Sequence, residues 1–270
     1  MTRRYVLAGA DHAAALDRVL GSDAAVGGVW EQPHAVDVWI EFGDLPDLAD
    51  LDVTVEEVPD DPKTWTGFEE DTFVRVADDL VVRPPWVEPP AGFVGDDLVV
   101  PRGMAFGSGE HGSTRAALLV LRQLLSGDRG PAPCASAFDV GTGSGILALY
   151  ASRRGVASIA GCDVEPESVE AAQELLPGAD VFGGGPEGFA PRTADLVIAN
   201  LDARQLGAAL EAIVACWNGS FALVLSGMRP REVDGVISRL PWPPDLRVED
   251  GDYVSVAFRG PRSDLGVKTS

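Results

Sequence analysis

Residues 138–147 read Phe-Asp-Val-Gly-Thr-Gly-Ser-Gly-Ile-Leu, an apolar strand running into three alternating glycines and then a helical run. No other segment restricts the fold as much. Glycines let a backbone turn tightly and approach a ligand, and a helix that starts beside them presents unsatisfied N–H groups. A strand, a glycine turn and a helix open a β-α-β unit, so a mainly parallel sheet is expected around them. The dinucleotide fingerprint needs its third glycine one place later, where this chain has Ile146. Asp139 stands two residues before Gly141, where a dinucleotide fold is usually apolar. A glycine turn that binds nothing stays open at this point.

The pattern around the loop agrees. From Arg115 onward, helical runs (AALLVLRQLL, GILALYASRR, ESVEAAQELL, RQLGAALEAIVACW, REVDGVISRL) alternate with apolar strands (SAFDV, SIAGCDV, DLVIANL, FALVLSG). Continuous apolar strands between helices predict a doubly wound sheet covered on both faces. LRVEDGDYVSVAFR reads as two strands around Asp250-Gly251, so the sheet should end with an antiparallel strand. LLPGADVFGGG (175–185) reads as a short connection.

The front of the chain is built differently. Tyr5–Ala8 reads as a strand, and HAAALDRVL as a helix capped by Asp11. GGVWE and AVDVWIEF are strands joined by a turn, LPDLAD is a weak helix containing Pro46, and DVTVEEV is a strand. That order is the β-α-β-β-α-β of a small α+β ferredoxin-like domain over residues 1–58. Residues 59–100 are expected to be a linker, polar and proline-punctuated at 59–73, ahead of a catalytic domain at 101–262.

Charge is unevenly divided. The 270 residues carry 42 acids and 21 bases, a net −21, with 22 acids and 6 bases in the first 100 residues. Such a segment repels nucleic acid and anionic membrane alike and attracts a basic partner. Acid that serves solubility alone, in a chain with only Lys63 and Lys268 as lysines, is the other open reading. No apolar run approaches the ~20 residues of a membrane span, and the N-terminus lacks the apolar core of a signal peptide. Cys134, Cys162 and Cys216 are odd in number and scattered, which fits a reduced cytoplasmic chain without disulfides or structural zinc.

With Asp163 closing the next strand 22 residues after Gly141, the loop resembles that of the class I S-adenosylmethionine-dependent methyltransferases. The terminal hairpin is similar too, since that family adds an antiparallel strand to a seven-stranded doubly wound sheet. A second motif narrows the likeness. Residues 105–114 read A-F-G-S-G-E-H-G-S-T, resembling the A-F-G-T-G-x-H-x-T-T of the bacterial methyltransferases of ribosomal protein L-eleven (PrmA-type). Members of that family carry an N-terminal ferredoxin-like domain that grips the ribosomal protein.

The resemblance implies S-adenosylmethionine as cofactor, without a metal, held by Phe106, Thr114, Gly141, Gly143, Asp163 and Asn200. The Asp163 carboxylate would accept both ribose hydroxyls, and Asn200 would stand where the methyl group is transferred and orient the substrate. Taken alone, Thr114 is an ordinary helix cap and Asn200 a strand-end turn residue. His111 in a glycine-rich loop reads as structural. Leu201-Asp202 after Asn200, in place of the Pro-Pro of amide and adenine methyltransferases, points away from planar substrates. The implied reaction is methylation of amines, lysine side chains or the N-terminus, of a basic protein substrate, ribosomal protein L-eleven, by a cytoplasmic monomer. Another protein amine, or a non-catalytic module that only binds the cofactor, are the alternatives. The family's second linker tryptophan is Phe68 here, and the linker is expected to let the front domain present different amines to one site.

Overall fold

A computed structural model describes residues 3–32, 34–58, 72–101, 109–126 and 134–261. The chain divides into two compact units, residues 1–71 and 72–270.

In the first unit, β1 (Arg3–Ala8), α1 (His12–Leu20), β2 (Ala25–Gln32), β3 (Ala35–Phe42) and β4 (Thr54–Val58) form an antiparallel sheet in the order β2-β3-β1-β4. That is the ferredoxin-like strand order with one helix in place of two. The expected second helix is absent: Leu45–Asp50 runs through irregular chain and turns. Pro46 and the turn-forming Asp44, Asp47 and Asp50 disfavour a helix over so short a span. Leu45, Leu48 and Leu51 still pack on the sheet with Leu7, Leu16 and Val38. Asp11 precedes α1 without capping it, because its carboxylate accepts the N–H of Asp52 at 2.9 Å instead.

The second unit begins earlier than the sequence implies. Residues 72–100, expected as linker, carry β5 (Val74–Ala77), β6 (Leu80–Arg83) and β7 (Asp96–Val99), a sheet in the order β5-β6-β7. Leu80, Val82 and Leu98 are fully buried in the core of the second unit. The 59–71 part of the expected linker, with Trp65 and Phe68, lies outside the described residues, as does the 102–108 segment that contains Phe106.

The main sheet takes α2 (Gly112–Leu124), β8 (Ser136–Val140), α3 (Ile146–Arg153), β9 (Ser158–Asp163), α4 (Pro166–Leu175), β10 (Asp180–Gly183), β11 (Ala194–Asn200), α5 (Ala203–Cys216), β12 (Trp217–Met228), α6 (Val233–Ile237), β13 (Leu246–Asp250) and β14 (Tyr253–Arg259). Its order is β10-β9-β8-β11-β12-β14-β13. The strands β8 to β12 run parallel, while β14 is antiparallel to both β12 and β13. The expected terminal hairpin is present, but its second strand lies inside the sheet and its first forms the edge. The segment read as a plain connection contains β10, the opposite edge.

Alternate residues of one strand serve two cores. Leu196 and Ile198 of β11 face α2, α3 and the β5–β7 sheet; Val197 and Ala199 face α5 and α6. Burial on both faces is why these strands are continuously apolar, at roughly 1.5–3 kcal/mol for each large side chain buried. Trp217, fully buried, donates its indole N–H to the Asp195 carbonyl at 2.9 Å. The parallel strands β8 to β12 all end at the carboxyl edge of the sheet, where ligands bind in open α/β folds, and the turns that follow them gather there.

Candidate active site

Three of those turns meet at the ends of β8, β9 and β11. The glycine loop leaves β8 with φ values of 67°, 54° and 86° at Gly141, Gly143 and Gly145, a left-handed run that side chains resist. Gly141 and Thr142 both donate their N–H groups to the Cys162 carbonyl, at 2.9 and 3.0 Å, so the loop is laced to the end of β9. A methyl group on Gly141 would lie 2.4 Å from Leu201 Cδ2, so this glycine also makes room for the chain leaving β11.

Asp163 closes β9. Its Oδ2 accepts the N–H of Gly143 at 2.9 Å and its Oδ1 that of Glu165 at 3.0 Å. Each oxygen retains a lone pair for a further donor, the capacity that two vicinal hydroxyls require. Asp139, in β8 two residues before Gly141, is almost fully enclosed. Burial pushes its carboxyl up to about 7, although the Thr142 hydroxyl donates to its Oδ2 at 3.0 Å. Its Oδ1 has no hydrogen-bond partner among the described residues.

Asn200, the last residue of β11, points its Nδ2 at the Thr114 Oγ1 at 3.5 Å. Among the described residues the side-chain carbonyl of Asn200 is buried without a partner. Leaving such an acceptor empty costs about 1–3 kcal/mol, a cost usually kept where a ligand fills it. Thr114 is buried inside α2 and is not its cap. That role belongs to His111, whose Nδ1 accepts the Ser113 N–H at 3.4 Å and faces the Ser113 hydroxyl at 2.7 Å. The structural reading of His111 and the pairing of Thr114 with Asn200 therefore meet in one helix start.

Sequence reasoning missed the flank beyond Asp163. Gly183 of β10 pairs with Asp163, the Gly184 N–H bonds the Asp163 carbonyl at 2.8 Å, and Gly183 and Gly184 have open space above them. Beside them Val164 is 71% exposed. A valine directly after a strand-end carboxylate, and a triple glycine at 183–185, were the signals available in the sequence. Among the described residues no group of three or more His, Cys, Asp or Glu side chains could hold a metal ion, and no helix is long and apolar enough to cross a membrane.

A sheet in this order, with its glycine loop, strand-end carboxylate and strand-end asparagine at one edge, is the fold of the S-adenosylmethionine-dependent methyltransferases. Among solved structures, the ribosomal protein L11 methylase of Lactobacillus delbrueckii subsp. bulgaricus superposes with a TM-score of 0.59, 23% identity and coverage of 68% of this chain and 96% of that one. The family model for ribosomal protein L11 methyltransferase (PrmA) matches residues 19–254, and the chain belongs to that family. The L11 methyltransferase of Dechloromonas aromatica is 32% identical over 211 residues, covering 76% of this chain and 68% of the relative. That of Geobacter sulfurreducens is 37% identical over 158 residues, covering 57% of this chain and 50% of the relative. Other curated relatives, such as those of Clostridium perfringens, Pelobacter propionicus and Neisseria meningitidis, are matched over only half to two thirds of their own length.

Proposed function

We propose that this chain transfers methyl groups from S-adenosylmethionine to amino groups of ribosomal protein L11, on lysine side chains or the N-terminus, with the acidic front unit capturing the basic substrate. The observation that carries the reading is the buried, unpartnered Asn200 carbonyl between Thr114 and the glycine loop. A sulfonium cofactor supplies an activated methyl group that needs only an aligned nucleophile.

The chain's own residues would do the rest. Asp163 accepts hydroxyl donors through its two free lone pairs, the Gly141–Gly145 turn gives close backbone approach, and Val164 offers an apolar wall to a flat ring. The Asn200 carbonyl accepts an N–H of the incoming amine, which aims the lone pair rather than removing a proton. Enclosure disfavours the ammonium form and lowers the amine's pKa, so deprotonation needs no dedicated base.

Mass spectrometry of L11 after incubation with the protein and cofactor tests the reading directly. Methylated lysines or a methylated N-terminus are expected, and unmodified L11 would overturn it. Calorimetry with S-adenosylhomocysteine separates the roles. Asp163→Ala should weaken binding by roughly 2–4 kcal/mol through loss of a charged acceptor. Asn200→Ala should lower turnover more than affinity; unchanged turnover would make Asn200 a turn residue only.

A further inference from the structure

We infer that the turn of the β13–β14 hairpin braces the start of α2, and that Asp250 and Tyr253 are positioning residues for the Thr114–Asn200 pair; this rests on the methyltransferase reading above. Thr114 reaches Asn200 only at 3.5 Å, the far limit of a hydrogen bond, so a small outward shift of α2 separates them. What fixes α2 is therefore decisive.

The first turn of that helix is held by the hairpin at three points. Arg115 grips Asp250 with both arms of its guanidinium, Nε to Oδ2 at 2.6 Å and Nη2 to Oδ1 at 3.3 Å. Gly112 seats its backbone directly on the turn: a methyl group there would lie 2.9 Å from the Asp250 carbonyl oxygen and 3.1 Å from Tyr253 Cδ2. The His111 cap lies against the Tyr253 ring, centroid to centroid 4.4 Å. A fourth tie comes from β12. The Ser226 hydroxyl donates to the Ser113 carbonyl at 3.0 Å, while the Ser226 carbonyl accepts the Leu201 N–H at 3.1 Å. The residue before Thr114 and the residue after Asn200 thus share one partner. Every contact is between residues far apart in sequence, and all converge on the two side chains at the candidate reaction centre.

The competing account is that Arg115–Asp250 is a stabilising ion pair and nothing more. The molecule contains its own control. Arg154 and Asp96 pair at 3.2 Å with side chains 23% and 24% exposed, against 26% and 26% for Arg115 and Asp250, and join α3 to β7. A purely structural role predicts the same behaviour for both pairs.

The experiment compares Asp250→Asn, Tyr253→Leu and Asp96→Asn in the full chain by thermal melting, calorimetric titration with S-adenosylhomocysteine and turnover on L11. Asp250→Asn should weaken S-adenosylhomocysteine about tenfold and cut turnover by roughly 10- to 100-fold, the scale of an ångström-sized misplacement. The charge swap Arg115→Asp with Asp250→Arg should recover part of both losses. Asp96→Asn should lower the melting temperature to a similar degree while leaving affinity and turnover unchanged. If Asp250→Asn does not fold, Tyr253→Leu carries the test with the same expected losses. Equal melting shifts with affinity and turnover untouched at Asp250 and Tyr253 would overturn the brace. A wild-type chain that binds S-adenosylhomocysteine but leaves L11 unmodified would overturn the substrate reading, with the brace still decided by the binding data.

Discussion

Asp139 is almost fully enclosed, and burial outweighs what the Thr142 hydroxyl and the Ala148 backbone do for its charged form. Its folded carboxyl titrates at about 7 against the ordinary 3.8. Between those values the folded chain holds a proton that the unfolded chain has released. The group's contribution to stability is therefore present in acid and declines as pH rises toward about 7. Asp139→Asn keeps an acceptor for Thr142 and abolishes the titration. Urea unfolding of both chains should show the variant gaining on the wild type between about pH 4 and about pH 7 and no further change above that. A constant difference would mean that the carboxyl ionises at its ordinary pH. The glycine spacing and the two strand-end side chains were readable before any fold was built. The meeting of Thr114 with Asn200 was not, because 86 positions separate them and only the packing of α2 brings them together. Asp11 misled for a related reason: a distant backbone N–H outcompeted the helix for its carboxylate.

Long elements with sustained periodicity were legible, and short ones were not. β10 has four residues followed directly by glycines, too few for a period-two pattern to declare itself. β5 and β6 hide in an acidic stretch, joined by the tight turn Asp78-Asp79 between the paired Ala77 and Leu80. Where elements end, close contacts decide the energetics. Gly227, near the end of β12, has φ 94°, and a methyl group on it would stand 2.1 Å from the Leu201 carbonyl oxygen. Gly178 has φ 115° but nothing near it. Gly178→Ala should cost about 1–2 kcal/mol from backbone strain alone, whereas Gly227→Ala should exceed about 3 kcal/mol because the backbone of Leu201 must also move. Denaturant melts of the two variants check this; equal costs would show that the β11 exit relaxes freely.

Across the molecule, charge and topology act separately. Residues 1–71 hold 17 acids and 4 bases, whereas residues 72–270 hold 25 and 17. If the front unit captures a basic substrate, association should slow steeply as screening shortens to ~3 Å near 1 M salt. Stopped-flow association at rising salt reads this, and a salt-independent rate would leave the acid as a solubility feature. The order of the main sheet carries a different consequence. β14, the last strand among the described residues, is inserted between β12 and β13, and its Val254, Val256 and Phe258 are completely buried. During synthesis, every strand from β8 to β13 emerges before the one that joins the final two, at about 5–20 residues per second. The nascent sheet therefore waits with the apolar flank of β12 uncovered until residue 259 is free, and the same late strand delivers the turn that steadies α2. A ribosome stalled shortly before that point holds a chain with every side chain of the candidate site already made and the site itself unassembled.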